Sequence, residues 1–206
     1  MSLDKLKLSK RLHGNMNALG YITAKEFQLR SLSRIIGGHS LIGIAPKGAG
    51  KTTSYVLGVL MRLKYTQDEA PKVLILVPDE DRIAEIVDRF LTISQNKELY
   101  IMGLKTSRGM EEEIEDLVRG VDIVVATPAR ARAVYLKLGL NLNRIQTFVI
   151  DDAEEIVKQG MQTTVRELAQ SCGKVQYLAF STVIDEKLHL MIDDFMPFAA
   201  VVELAE

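Results

Sequence analysis

Seven short apolar runs alternate with segments of helical length: "LIGIA" (41–45), "KVLILV" (72–77), "LYIM" (99–102), "DIVVA" (122–126), "TFVID" (147–151), "VQYLAF" (175–180) and "AAVVEL" (199–204). The runs are rich in β-branched residues and nearly continuous in apolar character, as strands buried on both faces require. Amphipathic segments lie between them at 51–63, 81–94, 110–119, 163–171 and 185–195, with helix-start signals at Asp79 and Asp185. Strands alternating with helices imply a mostly parallel α/β sheet of about seven strands with helices on both faces. Two more helical patterns, 5–19 and 26–36, precede the first run. The chain is therefore expected to form one domain, 1–206, with a helical N-terminal segment (1–38) and a core (39–206).

Such sheets bind ligands outside the carboxyl ends of their strands. Residues that carry chemistry are expected just after the apolar runs. The strongest signal is there: "APKGAGKTT" (45–53) follows the first run and opens a helix. It matches the phosphate-loop pattern with Ala45 in place of the first glycine, then Pro46, Lys47, Gly48, Ala49, Gly50, Lys51, Thr52 and Thr53. Gly48 and Gly50 let backbone N–H groups wrap phosphates, and the helix N-terminus adds the positive end of its dipole. Lys51 is expected to reach the β- and γ-phosphates, and Thr52 to offer its hydroxyl to Mg²⁺.

The second signal is "FVIDDAEE" (148–155), an apolar run that ends in two aspartates. Two readings stay open for the pair. It caps the helix that begins at "AEEIV", or Asp151, on a strand beside the phosphate-loop strand, holds Mg²⁺ largely through water while Asp152 polarises an attacking water.

Composition narrows the remaining classes. The 206 residues are 47% hydrophobic and 26% charged, enough for one generous α/β domain. A net charge of −1 leaves no global basic signature, so any nucleic-acid site has to be a local patch. The lone cysteine, Cys172, excludes an internal disulfide and suits a reducing compartment, for which we expect the cytoplasm. His13, His39 and His189 are scattered without cysteine partners, which argues against zinc. No apolar run approaches the ~18 residues of a membrane span.

Taken in order, the motifs resemble the N-terminal RecA-like domain of DEAD-box RNA helicases over essentially the whole chain. "GYITAKEFQ" (20–28) resembles the family's Gly-aromatic-x-x-Pro-Thr-Pro-Ile-Gln stretch, with Ala24 and Glu26 for the prolines. The resemblance implies that Gln28 reads the adenine edge, for which an amide has both donor and acceptor. "LVPDEDRIAEI" (76–86) occupies the place of Pro-Thr-Arg-Glu-Leu, keeping Pro78 and replacing the basic residue with Glu80. "MGLK" (102–105) keeps Gly103 of a Gly-Gly pair, and "VVATPARA" (124–131) resembles Thr-Pro-Gly-Arg through Thr127, Pro128 and Arg130. "DDAEEIVKQGM" (151–161) stands for Asp-Glu-Ala-Asp, and "AFSTV" (179–183) for Ser-Ala-Thr, with Ser181 in register.

The resemblance implies ATP and Mg²⁺ as cofactors, with Lys51, Asp151, Asp152 and Ser181 as catalytic residues. Coupling of hydrolysis to RNA would run through Glu154, Ser181 and Thr182. RNA phosphates would be held by Pro78, Gly103, Thr127, Pro128 and Arg130, with Lys105 and Arg108 nearby. Binding should be weak, because Asp79, Glu80 and Asp81 oppose phosphates unless they only start a helix. The acidic run at 110–120 is expected to be a solvated helix face. The family's second RecA-like domain, with its arginine fingers, is absent from this sequence; it is the expected partner of a domain that is otherwise monomeric and slow at hydrolysis. A degenerate relative that binds ATP and clamps RNA with little turnover is the alternative.

Overall fold

The computed structural model describes residues 2–63 and 71–204. Its strands are β1 (Leu41–Ile44), β2 (Val73–Leu76), β3 (Ile101–Leu104), β4 (Ile123–Ala126), β5 (Thr147–Ile150), β6 (Gln176–Ser181) and β7 (Ala200–Glu203). They form one seven-stranded sheet in the order β3-β4-β2-β5-β6-β1-β7. Every pairing between these strands is parallel.

Period-two alternation within the strands divides the core in two. Val73, Ile75, Ile123, Val125, Val149, Leu178 and Phe180 pack against one set of helices: α1 (Lys10–Ala18), α2 (Glu26–Ile36), α3 (Lys51–Arg62) and α4 (Glu80–Ser94). Leu74, Leu76, Val124, Ala126, Phe148, Ile150 and Ala179 face the other: α5 (Met110–Arg119), α6 (Pro128–Leu136), α7 (Ala153–Lys158), α8 (Gln162–Gln170) and α9 (Glu186–Asp193). Both faces are covered, which is why the runs carry almost no polar residues. Among the described residues no helix is long and apolar enough to cross a membrane.

Three details differ from the sequence reading. The 5–19 pattern divides into a 3₁₀ turn, Leu3–Leu6, and α1, because Lys7 adopts φ 51° and Ser9 caps the new helix by accepting from Leu12 N. β3 begins two residues later than "LYIM" suggests, and so contains Gly103. The strand that ends at Asp151 does not lie beside β1, because β6 stands between them. Helix-connected parallel strands need not be spatial neighbours in chain order, and the apolar runs carry no information on that order.

Candidate functional site

The carboxyl ends of β1, β6, β5, β2 and β4 bring the phosphate loop, Ser181, Asp151, Pro78 and Thr127 to one side of the sheet. In the loop, Gly48 has φ 82° and Gly50 φ 98°, values an L side chain rarely adopts. Ala45 N donates to Ser181 O at 3.1 Å and Ala49 N to Pro46 O at 3.2 Å. Lys47 is exposed, Thr52 half-buried and Thr53 buried in the first turn of α3. The Lys51 ammonium is folded into the loop, donating to Ala45 O and, at 3.2 Å, to Pro46 O. Burial pulls its pKa down, against the acids of Glu154, Asp152 and Asp151.

Gln28 is buried beside this loop. Its Oε1 accepts from Lys25 N at 2.9 Å at the start of α2, and its Nε2 lies 2.9 Å from where a Cβ on Gly50 would stand. Lys25 also donates its Nζ to Gly48 O, a tether the sequence reading missed because lysine replaces the motif's threonine.

Asp151 is completely buried at the end of β5. Its Oδ2 accepts from Tyr55 Oη (3.1 Å), Arg82 Nε (3.1 Å) and Arg82 Nη2 (2.7 Å). Its Oδ1 is buried with no hydrogen-bond partner. Arg82 Nη2 also donates to Thr52 Oγ1 at 2.9 Å, and Nε lies 3.2 Å from Asp152 Oδ2. Burial pushes the Asp151 carboxyl up to about 6, with Arg82 pulling the other way. Asp152 is also raised, mainly by burial. Asp152 occupies the N-cap position of α7 with φ 46°, and its side chain makes no cap hydrogen bond. The capping alternative therefore holds for the backbone only; the carboxylate is directed toward Arg82.

Arg82 and Tyr55 were not anticipated. A tyrosine inside a helix reads as core, and Arg82 reads as one more charge in "PDEDR".

One turn beyond the pair, Glu154 joins α7 to the end of β6. Its Oε2 accepts from Ser181 Oγ at 2.8 Å, and Oε1 from Thr182 N (3.1 Å) and Thr182 Oγ1 (2.7 Å). Burial would raise this carboxyl, but the donors on Thr182 and Ser181 hold it below its usual value.

The third cluster lies across the ends of β2, β3 and β4. Asp79 caps α4 by accepting from Arg82 N at 2.8 Å, so the acids of "PDED" do start a helix. Glu80 Oε1 accepts from Thr106 N at 2.7 Å and from Thr106 Oγ1 at 2.5 Å. Thr127 caps α6 through Arg130 N at 3.3 Å, with Pro128 buried in the helix's first turn. The Arg130 guanidinium turns onto Glu113, with Nε to Oε2 at 3.0 Å, and also donates to Arg108 O at 2.8 Å. Arg108 is held by Glu112 (2.7 Å) and Asp116 (2.6 Å). Glu113 is fully buried, so the acidic run is not wholly a solvated face. Pro78 is buried behind the cap of α4.

Gly103 lies within β3, not in a loop, and a Cβ there would stand 2.4 Å from Ile83 Cγ2 of α4. Its small size admits the helix. Gly103→Ala should destabilise the chain by about 1–3 kcal/mol through overpacking. Urea unfolding checks this, and an unchanged midpoint would leave α4 packing out of the explanation.

A family model described as DEAD/DEAH box helicase matches residues 25–191. The chain is 25% identical over 187 residues to "Probable ATP-dependent RNA helicase ddx52" of Dictyostelium discoideum, covering 90% of this chain and 28% of that protein. It is 28% identical to "Eukaryotic initiation factor 4A" of Cryptosporidium parvum, covering 91% and 46%. It is 23% identical to "DEAD-box ATP-dependent RNA helicase CshA" of Streptococcus pneumoniae, covering 100% and 39%. The chain thus spans less than half the length of these curated relatives. Its fold superposes on a DEAD box protein from Methanococcus jannaschii with TM-score 0.92 at 20% identity, covering 100% of this chain and 56% of that one. A second solved structure, a hypothetical ATP-dependent RNA helicase from Sulfolobus tokodaii, gives TM-score 0.85 at 20% identity, covering 96% and 57%. With the phosphate loop, the acid pair and the Glu154–Ser181 link at the carboxyl ends of a RecA-like sheet, and the model matched from Lys25 to Met191, the chain belongs to the DEAD/DEAH box helicase family.

Proposed function

We propose that this domain is the ATP-binding half of an RNA-dependent ATPase that couples hydrolysis to RNA strand separation or remodelling of RNA–protein complexes. The observation that carries this reading is the link from nucleotide site to strand end: Asp151 and Asp152 lead into Glu154, which grips Ser181 and Thr182, while Ser181 O holds Ala45 N of the phosphate loop. A change at the phosphates can pass to β6 through these contacts without crossing solvent.

Each residue has a task in this reading. The N–H groups about Gly48 and Gly50 wrap phosphates, and Lys51 leaves its two carbonyls for the β- and γ-oxygens. Gln28, beside Gly50, reads the base. Thr52 and Asp151 offer oxygen donors of the type magnesium takes, and the partnerless Asp151 Oδ1 fits such an ion or its water shell. Bound with nucleotide, the ion would neutralise charge on the phosphates. Asp152 orients the attacking water. Thr127 and Arg130 face the RNA side, with Pro78 and Pro128 buried behind them and Gly103 held within β3; contact there is weak because acids already engage Arg130 and Arg108. The second RecA-like domain completes both sites. Without an arginine finger the rate falls roughly 10³–10⁵-fold, so this chain by itself should turn over slowly. A monomer in a reducing, cytoplasmic setting fits these roles.

The test is RNA-stimulated phosphate release by the natural full-length chain. Stimulation supports the reading, and turnover indifferent to RNA but stimulated by a small acceptor overturns it. A second reading, nucleotide-dependent RNA clamping with little hydrolysis, is favoured by Asp152, one methylene shorter than the family's glutamate, and by its contact with Arg82. Asp152→Glu should raise turnover roughly tenfold, part of the ~10² that a 1 Å misplacement can cost. An unchanged or lower rate would mean that the site has adapted to aspartate.

A further inference from the structure

A cation already stands where the magnesium reading needs one. Arg82 Nη2 lies 2.9 Å from Thr52 Oγ1 and 2.7 Å from Asp151 Oδ2, and Nε lies 3.2 Å from Asp152 Oδ2. These are the oxygens assigned above to the metal and the attacking water. Nη1 is anchored at 2.6 Å by Glu85, one turn along α4, and Asp79 fixes the backbone of Arg82 by capping that helix. The side chain is 23% exposed, so the guanidinium sits largely within the protein.

A planar fork of N–H donors and a hydrated divalent ion make incompatible demands on the same oxygens. The fork needs them in one plane within hydrogen-bond reach, whereas the ion needs an octahedral shell of oxygens. A guanidinium stays protonated at any pH the protein meets, so proton loss cannot clear the site. In the register of the Pro-Thr-Arg-Glu-Leu stretch, Arg82 falls on the leucine, which carries neither charge nor donors. The contact therefore belongs to this chain rather than to the motif. Arg82 also leaves Asp151 Oδ1 unpartnered, so it neutralises the carboxylate without using all of its acceptor capacity.

We propose that Arg82 is a resident cation that competes with divalent metal for Thr52, Asp151 and Asp152, so that nucleotide binding by this chain depends little on magnesium. The proposal rests on the reading that the phosphate loop holds a nucleotide. Arg82 supplies positive charge beside the phosphates when metal is scarce, and a metal ion entering the site has to displace its ion pairs with Asp151 and Asp152.

The experiment titrates a fluorescent adenosine diphosphate into the 206-residue chain, in millimolar Mg²⁺ and in chelator, for wild type and Arg82→Leu. Wild type should change affinity by less than about threefold between the two conditions, and Arg82→Leu should gain about 5–150-fold from magnesium, the usual range of a coupling between two ligands. Mg²⁺ without nucleotide should also raise the melting temperature of Arg82→Leu by mass action and leave wild type unmoved. Where Arg82→Leu does not fold, Arg82→Gln, neutral but still an N–H donor, carries the same comparison. Equal magnesium dependence in wild type and the folded variant overturns the proposal. If neither protein binds nucleotide in any condition, the proposed function fails instead. Mn²⁺-induced water relaxation then decides the metal competition: ion bound by the variant and excluded by wild type upholds it, and equal binding overturns it.

Discussion

Lys51→Ala should weaken nucleotide binding about 10²–10³-fold while leaving the chain folded. Lys51 is 6% exposed, and its ammonium donates to Ala45 O and Pro46 O, so the loop is closed around its own lysine. Phosphate oxygens are stronger acceptors than two carbonyls, and a charge-assisted contact in a partly desolvated pocket is worth several times one in water. Truncating one partner of such a buried charge pair costs about 2–5 kcal/mol, the source of the expected factor. The folded state loses less. Pro46 is half-buried and keeps access to water at the loop, and removal of one cation from a cluster that includes Asp151, Asp152 and Glu154 leaves Arg82 in place. Calorimetric titration against adenosine nucleotides checks the affinity, and the nucleotide-dependent rise in melting temperature should vanish with it. Binding within about threefold of wild type, a difference below 1 kcal/mol, would remove the phosphate role from Lys51.

The outcome at Lys51 depends on a strand, turn and helix whose order was legible in the sequence. A strand, a glycine-rich turn and a helix start in sequence order define a phosphate loop through backbone requirements, and backbone requirements are local. The contact between Glu154 and Ser181 followed from the resemblance and has a simple physical basis. The parallel register pairs Ile150 with Ala179, which sets the end of β5 beside the end of β6.

What the sequence concealed is non-local. Arg82 lies 69 residues from Asp151, and no periodicity or spacing links an arginine in one helix's first turn to a carboxylate at the end of another strand. The order of strands was concealed for the same reason: apolar runs specify burial, while the neighbour of β1 is chosen by how the connecting helices pack. Gly103 illustrates a milder failure. Glycine lowers the strand signal of "LYIMGL", so the apolar run stops at Met102, although the residue is small because α4 crosses over it.

Glu113→Ala is expected to be the most destabilising single change, costing about 3–5 kcal/mol. Glu113 is fully buried in α5, and both of its oxygens are engaged: Oε1 accepts from Lys105 N at 2.7 Å, and Oε2 meets Arg130 at 3.0 Å from Nε and 2.9 Å from Nη2. One carboxylate thus ties the exit of β3 to the starts of α5 and α6. Alanine in its place leaves a guanidinium only 11% exposed without its counter-charge and an amide N–H without its acceptor. For a chain of this size the melting temperature should fall by roughly 6–20 °C. A pair of this kind is required once one half is present, yet is not itself a strong source of stability, because desolvating both charges offsets most of their attraction. Glu113→Leu combined with Arg130→Met should therefore cost less than either single change, a non-additivity that urea unfolding of the four proteins measures. Additive losses would mean that the two side chains act independently. The cycle also bears on RNA. If Arg130 serves mainly to hold Glu113, the double variant should keep the salt slope of RNA binding. If the Arg130 guanidinium instead neutralises an RNA phosphate, its replacement by methionine should lower that slope by about one.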